Sequence, residues 1–193
     1  VLVTHTVYRL TVIHPERVPE TGPALLIPNH VSFIDGLIML ASTDRPIRFV
    51  IDAHYYQMRL LRPFLISLRA IPIALGSGPK PLLRALRDAG KLLDEGEVVC
   101  IFPEGQITRT GMLGPFQRGF QRIVTGRDVP IIPVALDRVW GSIFSRSGGR
   151  FVTKIPRQLP YPITVAFGEP LPAGTEIHKV RAAVRELATE AWK

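Results

Sequence analysis

Residues 24–36 read Ala24-Leu25-Leu26-Ile27-Pro28-Asn29-His30-Val31-Ser32-Phe33-Ile34-Asp35-Gly36, and this stretch decides the fold class. Its first four residues are apolar without alternation, the pattern of a strand buried on both faces. A polar turn follows. Phe33, Leu37 and Leu40 then repeat at helical spacing behind Ser32, a residue type that caps helices. A buried strand that turns straight into a helix is half of a βαβ unit.

The same alternation extends in both directions. Short apolar runs predict strands over Tyr8–His14, Ala24–Ile27, Ile47–Ile51, Ala70–Leu75, Val98–Phe102, Ile131–Leu136 and Ile163–Phe167. A second helix is opened by Pro81, carries Leu82, Leu86, Ala89 and Leu93 on one face, and stops at Gly96. A third carries Ile177, Val180, Val184, Leu187 and Ala191. A further helical stretch covers Tyr56–Arg69, with Pro63 as its break or kink. Residues 137–162 are rich in Gly, Ser, Arg and Pro and read as an exposed basic excursion. Strands alternating with helices predict one α/β domain, a mixed and largely parallel sheet of about seven strands flanked by helices.

The chain has 193 residues, a length that one core can serve. Hydrophobic residues are 46% and charged residues 21%, which excludes wholesale disorder. A net charge of +8 attracts polyanions: nucleic acid, an anionic membrane surface, or an acidic protein or ligand. No recognised nucleic-acid motif accompanies the charge. A single cysteine excludes an internal disulfide and a thiolate metal cluster, and His5, His14, His54 and His178 share no ligand spacing, so no metal is expected. No apolar run approaches the ~18 residues of a membrane-spanning helix. The first residue is Val1, and the chain is expected to be a piece of a longer, membrane-associated protein.

Ligands of open α/β sheets bind beyond the carboxyl ends of the strands. Two polar clusters are expected there. Strand Ala24–Ile27 delivers Asn29, His30 and Asp35. Strand Val98–Phe102 delivers Pro103-Glu104-Gly105-Gln106-Ile107-Thr108-Arg109. If the two strands are parallel, both clusters open on one edge. Ser32 and Asp35 are spaced as at a helix start, which brings the Asp35 carboxylate back toward His30. That bond leaves the far ring nitrogen of His30 free to take a proton, as in a hydrolase triad without its serine. Imidazole, with a reference pKa of ~6.5, suits that role at neutral pH. Taken alone, Asp35 reads better as a helix cap and His30 as a surface loop residue; the second cluster tips the balance toward a site. Glu104 sits where a hydroxyl-bearing ligand would meet it, Gly105 allows close backbone approach, and Arg109 and Arg118 could pair with phosphate oxygens.

Together these segments resemble the glycerolipid acyltransferase family, of the lysophosphatidic acid acyltransferase type. Its N-H-x-x-x-x-D motif is matched by Asn29 to Asp35, and its F-P-E-G motif by Phe102-Pro103-Glu104-Gly105. Gly111, Leu113, Pro115, Phe116 and Gly119 follow in the family's order, and Val129–Val134 resembles its fourth motif. The likeness spans residues 24–136. There are departures. Gln106-Ile107 stand where Thr-Arg is usual, with Arg109 two residues later, and Ala70–Gly76 lacks the usual arginine of the second motif. Lys80, beside the following helix start, could supply that cation. The run FPEGQITRTG, residues 102–111, is most similar to the acyltransferase part of bifunctional 2-acylglycerophosphoethanolamine acyltransferase/acyl-acyl-carrier-protein synthetases.

The resemblance implies acyl transfer from a thioester, on acyl-carrier protein or coenzyme A, to the free hydroxyl of a lysophospholipid. Lysophosphatidylethanolamine is the expected acceptor, and lysophosphatidic acid acylated at its second position is the alternative. It implies His30 and Asp35 as the catalytic pair, and Asn29, Glu104, Gly105, Thr108, Arg109, Lys80 and Arg118 as substrate-binding residues. Backbone N–H groups at the helix after Ser32 are candidate donors to the thioester oxyanion. No cofactor is implied beyond the acyl donor. It implies a place at the cytoplasmic face of the inner membrane, and fusion to an AMP-forming acyl-acyl-carrier-protein synthetase or a lysophospholipid transporter. The stretches Arg45–Arg48, Arg59–Arg69 and Arg138–Arg157 mix cations with apolar residues, as interfacial surfaces do. A non-catalytic lipid- or carrier-binding domain would have no need of His30, Asp35 and Glu104 together.

Overall fold

The computed structural model describes residues 8–74, 76–142, 144–145 and 160–190. Seven strands form one sheet in the order β1-β7-β6-β2-β5-β3-β4, where β1 is Tyr8–Ile13, β2 Ala24–Pro28, β3 Ile47–Asp52, β4 Ile71–Ile73, β5 Val98–Cys100, β6 Ile131–Asp137 and β7 Tyr161–Phe167. All neighbouring pairs are parallel except β6 with β7, so the expected mixed, largely parallel sheet is borne out. The helices are α1 (Asp35–Leu40), α2 (Arg62–Ser67), α3 (Pro79–Asp94), α4 (Gly119–Val124) and α5 (Ile177–Glu190).

Two apolar layers hold the sheet from opposite sides. One joins Leu25, Ile27, Val99 and Ile131 to Ala85, Leu86, Ala89 and Leu93 of α3 and to Val180 and Val184 of α5. The other joins Leu26, Cys100, Ile132 and Val134 to Ile38 and Met39 of α1. Consecutive residues of β2 therefore face opposite layers and all are buried, which is why the strand reads apolar throughout. Each such side chain stabilises the fold by about 1.5–3 kcal/mol.

Several local expectations change. Residues 56–69 are not one helix. A 3₁₀ turn at Ala53–Gln57 precedes α2, and Pro63 lies in the first turn of α2, where its missing N–H costs nothing. In the same way α3 opens at Pro79, two residues before Pro81. The α4 helix was not anticipated; six residues give too little periodicity to read. Residues 137–142 and 144–145 are not an exposed excursion: Val139, Ser142 and Ser145 are fully buried, and Ser145 forms a bridge with Ser32. The rest of Arg138–Arg157 lies largely outside the described residues, as does Ala191. Arg45–Arg48 is not an interfacial patch either. Arg45 donates to the carbonyls of Pro19, Gly22 and Gly96, and Arg48 holds Glu97 through two nitrogens.

Candidate active site

The β2 and β5 strands are hydrogen-bonded neighbours, with Ala24 opposite Val98 and Leu26 opposite Cys100. Being parallel, they release their polar loops at one edge, and the two clusters meet there. Asp35, the first residue of α1, is the centre of the arrangement and is completely buried. Its Oδ2 accepts from His30 Nδ1 at 2.9 Å, from Val31 N at 2.6 Å and from Ser32 N at 2.9 Å. Its Oδ1 accepts from the Ser32 hydroxyl at 2.7 Å. With so many donors converging on it, the carboxylate acts purely as an acceptor. In the neutral ring Nδ1 is therefore the nitrogen that carries the proton, and Nε2 the one with the lone pair.

Ser32 does not cap α1, contrary to its sequence reading. Residue Ile34 occupies the cap position without a side-chain bond, while the Ser32 hydroxyl points into Asp35 and accepts from Ile34 N at 3.2 Å. The chain folds back because Asp35 gathers the turn's own amides. Of the expected oxyanion donors after Ser32, the amides of Phe33 and Ile34 are already engaged, Phe33 with the Phe144 carbonyl at 3.4 Å and Ile34 with the Ser32 hydroxyl, which leaves the first-turn amides of α1 as the candidates.

Glu104 braces the same loop from β5. Its Oε1 accepts from His30 N at 2.8 Å and its Oε2 from Gly114 N at 2.7 Å. The side chain is nearly buried. Desolvation raises its pKa above the ordinary carboxylate value, and the two backbone donors pull it part of the way back. Glu104 therefore first positions His30 and the 114 turn, and each oxygen retains a second acceptor site. Gly114 was missed in the sequence, and the reason for a glycine there is steric. A Cβ would stand 2.8 Å from Glu104 Oε2. A glycine between Leu113 and Pro115 was the available signal. Phe102, noticed only as part of F-P-E-G, stacks on His30 with ring centroids 4.2 Å apart and planes 24° apart. The His30 ring is thus fixed by stacking on one face and by a carboxylate at its near nitrogen, with 21% of the side chain exposed.

The other candidates spread outward from this core. Asn29 uses both ends of its amide on the backbone of Leu136, at 3.0 and 2.7 Å, so it ties β2 to β6. Thr108 N donates to the His30 carbonyl at 2.9 Å, and its hydroxyl donates to the Met112 carbonyl at 2.9 Å. Gly105 closes the turn after Pro103 at φ +69°, a left-handed conformation that favours glycine. Arg109 is exposed and lines a cavity of about 250 Å³ together with Glu104, Gln106, Thr108 and Gly114. Lys80 and Arg118 line neither this cavity nor the larger one described next. Lys80 is exposed in the first turn of α3, beyond β4, and Arg118 is exposed at the start of α4.

A larger cavity, about 850 Å³, opens on the β6–β7 side of the loop. Asn29, Val31, Leu113, Leu136, Arg138, Trp140, Tyr161 and Val184 are among its lining residues. Cys100 is no nucleophile. It is fully buried, and burial, with Asp35 adding to it, pushes its thiol well above the ordinary value. Among the described residues no group of three or more His, Cys, Asp or Glu side chains could hold a metal ion, and no helix is long and apolar enough to cross a membrane.

Fold and site together define a class: an α/β protein that presents a histidine–carboxylate pair, with the neighbouring Ser32 hydroxyl bonded to the carboxylate, at the carboxyl edge of a largely parallel sheet. The chain belongs to the acyltransferase family, whose model matches residues 9–137. It is similar to the 1-acyl-sn-glycerol-3-phosphate acyltransferase of Pseudomonas aeruginosa, 27% identical over 92% of this chain and 64% of that one. It is also similar to a probable enzyme of the same name from Mycoplasma pneumoniae, 22% identical over 84% of this chain and 62% of that one. A chloroplastic one from Brassica napus is 25% identical over 67% of this chain and 37% of its own length. The chain thus spans less than two thirds of the length of these relatives. The solved 1-acyl-sn-glycerophosphate acyltransferase of Thermotoga maritima shares the fold, with a TM-score of 0.69 at 20% identity over 95% of this chain and 70% of that one.

Proposed function

We propose that this chain transfers a fatty acyl group from a thioester to the free glycerol hydroxyl of a lysophospholipid, with His30 as general base and Asp35 as the group that orients it. The observation that carries this reading is the His30–Asp35 bond at 2.9 Å, which commits Nδ1 and leaves Nε2 with a lone pair. Nε2 takes the hydroxyl proton as the oxygen attacks the thioester carbonyl. The tetrahedral intermediate collapses, the C–S bond breaks, and the imidazolium returns the proton to the departing thiolate. No acyl-enzyme is needed, because the substrate hydroxyl is the nucleophile. The Ser32 hydroxyl is fully buried and donates to Asp35, so it is turned away from such a role. General-base assistance of this kind contributes about 10²–10⁴-fold. The reaction asks for no cofactor beyond the thioester, carried by acyl-carrier protein or coenzyme A.

Lysophosphatidic acid is the acceptor that the names of the similar proteins favour. A second reading, lysophosphatidylethanolamine, is favoured by one feature. Among the described residues Arg109 is the one cation lining the cavity beside Glu104, and Ile107 stands where the resemblance leads one to expect an arginine. A phosphodiester carries one charge, whereas a phosphomonoester carries about 1.5–2 at neutral pH. The test is transfer from radiolabelled acyl-carrier protein and acyl-coenzyme A to both lysolipids, with wild type beside His30→Ala. Transfer lost in the variant supports the reading, and the preferred lysolipid chooses between acceptors. Equal transfer by the two proteins removes His30 as the base.

A further inference from the structure

The larger cavity beside the His30 loop has no part in the proton transfer. Val31, next to His30, belongs to its wall, and so does Leu113, which also lines the smaller cavity of Glu104 and Arg109. The two cavities therefore flank the loop that carries His30, one on the Glu104 side and one on the β6–β7 side. The α5 helix closes the far wall. Arg181 donates to the carbonyls of Gly114 and Leu113 at 2.8 and 2.9 Å, and Val184 and Ala188 continue that helix face along the cavity.

At about 850 Å³ the cavity has the size of a small-molecule site, and its wall is mostly apolar with a few polar groups. Asp137 and Arg138 are consecutive, yet both line it. In a continuous strand their side chains would point to opposite faces. Arg138 stands at φ +60°, a strained conformation for a residue with a side chain, and this turn at the end of β6 brings both onto one wall. Asp137 is buried. Its Oδ2 meets no hydrogen-bond donor among the described residues, and Arg138 Nε stays 3.6 Å away. A buried carboxylate oxygen in that state calls for a donor. Trp140 is fixed in the wall by Gly111, where a Cβ would stand 2.8 Å from the indole. Arg138 and Arg185 are exposed at the mouth.

We infer that this cavity receives the 4′-phosphopantetheine arm that carries the thioester of the acyl donor. The inference rests on the acyltransfer reading and gives the donor a place. Acyl-carrier protein and coenzyme A present the same arm: a flexible chain with two amides and a pair of methyl groups, sulfur at one end and phosphate at the other. An amide N–H supplies the donor that Asp137 Oδ2 lacks. The methyl groups lie against Trp140 and Leu136, and the phosphate meets Arg138 and Arg185. The sulfur end points past Val31 to the His30 loop, while the acceptor hydroxyl approaches from the Glu104 side. A bare acyl chain suits this wall less well, because it would seal Asp137 under hydrocarbon with no donor.

The test follows Trp140 emission in a Trp192→Phe background, where it is the only indole. Coenzyme A and holo-acyl-carrier protein are expected to shift it, whereas ADP and apo-carrier protein, which lack the arm, are not. A response to one donor alone supports the proposal and names the source of the arm. Asp137→Leu keeps the size, removes the acceptor and weakens donor binding about tenfold. Ala188→Phe fills the cavity from α5 and abolishes the shift, with an unchanged denaturation midpoint. In turnover both variants raise KM for the donor and leave KM for the lysolipid as it was. No shift with either donor, or equal titrations by wild type and Ala188→Phe, overturns the proposal. A shift with decanoate but with neither donor also overturns it, and makes the cavity an acyl-chain site. Arm binding without any acyl transfer sinks the acyltransfer reading and leaves this site standing. Acyl transfer without arm binding at Trp140 does the reverse.

Discussion

Two stretches at the same sheet edge are built in opposite ways. In residues 29–35 nearly every polar group is committed: four donors reach Asp35, a glutamate 74 residues away holds the His30 amide, and Asn29 ties the strand end to Leu136. In residues 58–66 the side chains are offered to solvent, and Leu65 supplies the buried anchor. The difference separates a stretch held by buried hydrogen bonds from one held by a single buried leucine. The general base of the proposed reaction needs one tautomer and one orientation, and the bond to Asp35 and the stacking on Phe102 favour both. Backbone amides do this without a cation, so the carboxylates are held while the arginines remain at the rim.

That contrast can be broken from the rigid side first. Asp35→Asn replaces a carboxylate oxygen by an amide that faces donors, leaving a buried N–H unpaired. We expect a loss of about 10²–10⁴-fold in kcat, and about 1–3 kcal/mol in stability, measured by acyl transfer and by urea denaturation. Unchanged kcat with lowered stability would reduce Asp35 to a turn former. Gly114→Ala forces a methyl against Glu104 Oε2 and should cost about 1–3 kcal/mol, together with a fall in kcat as the brace on His30 moves. Full activity in that variant would separate Glu104 from the positioning of His30.

Smaller effects sharpen the comparison. Leu60→Asp should change stability by less than about 0.5 kcal/mol, because the side chain is already in water. A substantial loss would mean that the connection packs where it stands open in this structure. The smallest effect concerns pH. Glu104 has a raised pKa, so the native state holds its proton at pH values where the unfolded chain has released it. Its contribution to stability is present below the ordinary carboxylate range and is lost as pH rises through its raised value. Urea midpoints measured across that window should fall more steeply for wild type than for Glu104→Gln. Parallel curves would mean that the two backbone donors fully offset burial.

Local relations were legible in the sequence and distant ones were not. His30 and Asp35 lie in one turn, and the apolar run before them announces a strand, so their meeting could be read from spacing. The role of Ser32 could not, since a hydroxyl ahead of a helix looks the same whether it caps the helix or bonds the first carboxylate. The grip of Glu104 on His30 N and Gly114 N depends on β2 and β5 being neighbours, which strand order determines and composition does not. Arg45 and Arg48 looked interfacial for the same reason: their partners Pro19, Gly22, Gly96 and Glu97 come from elsewhere in the chain. Arg59 and Arg62 sit in a similar mixture of residues and are exposed, so sequence mixture did not distinguish a structural arginine from a surface one.

The central claim is that His30, fixed by Asp35, takes the proton of the attacking hydroxyl. Its most direct test is single-turnover acyl transfer to lysolipid by wild type and His30→Ala, each shown to be folded by its denaturation midpoint. The account predicts a rate about 10²–10⁴-fold lower in the variant, with lysolipid binding retained. Equal rates from two equally folded proteins would contradict it.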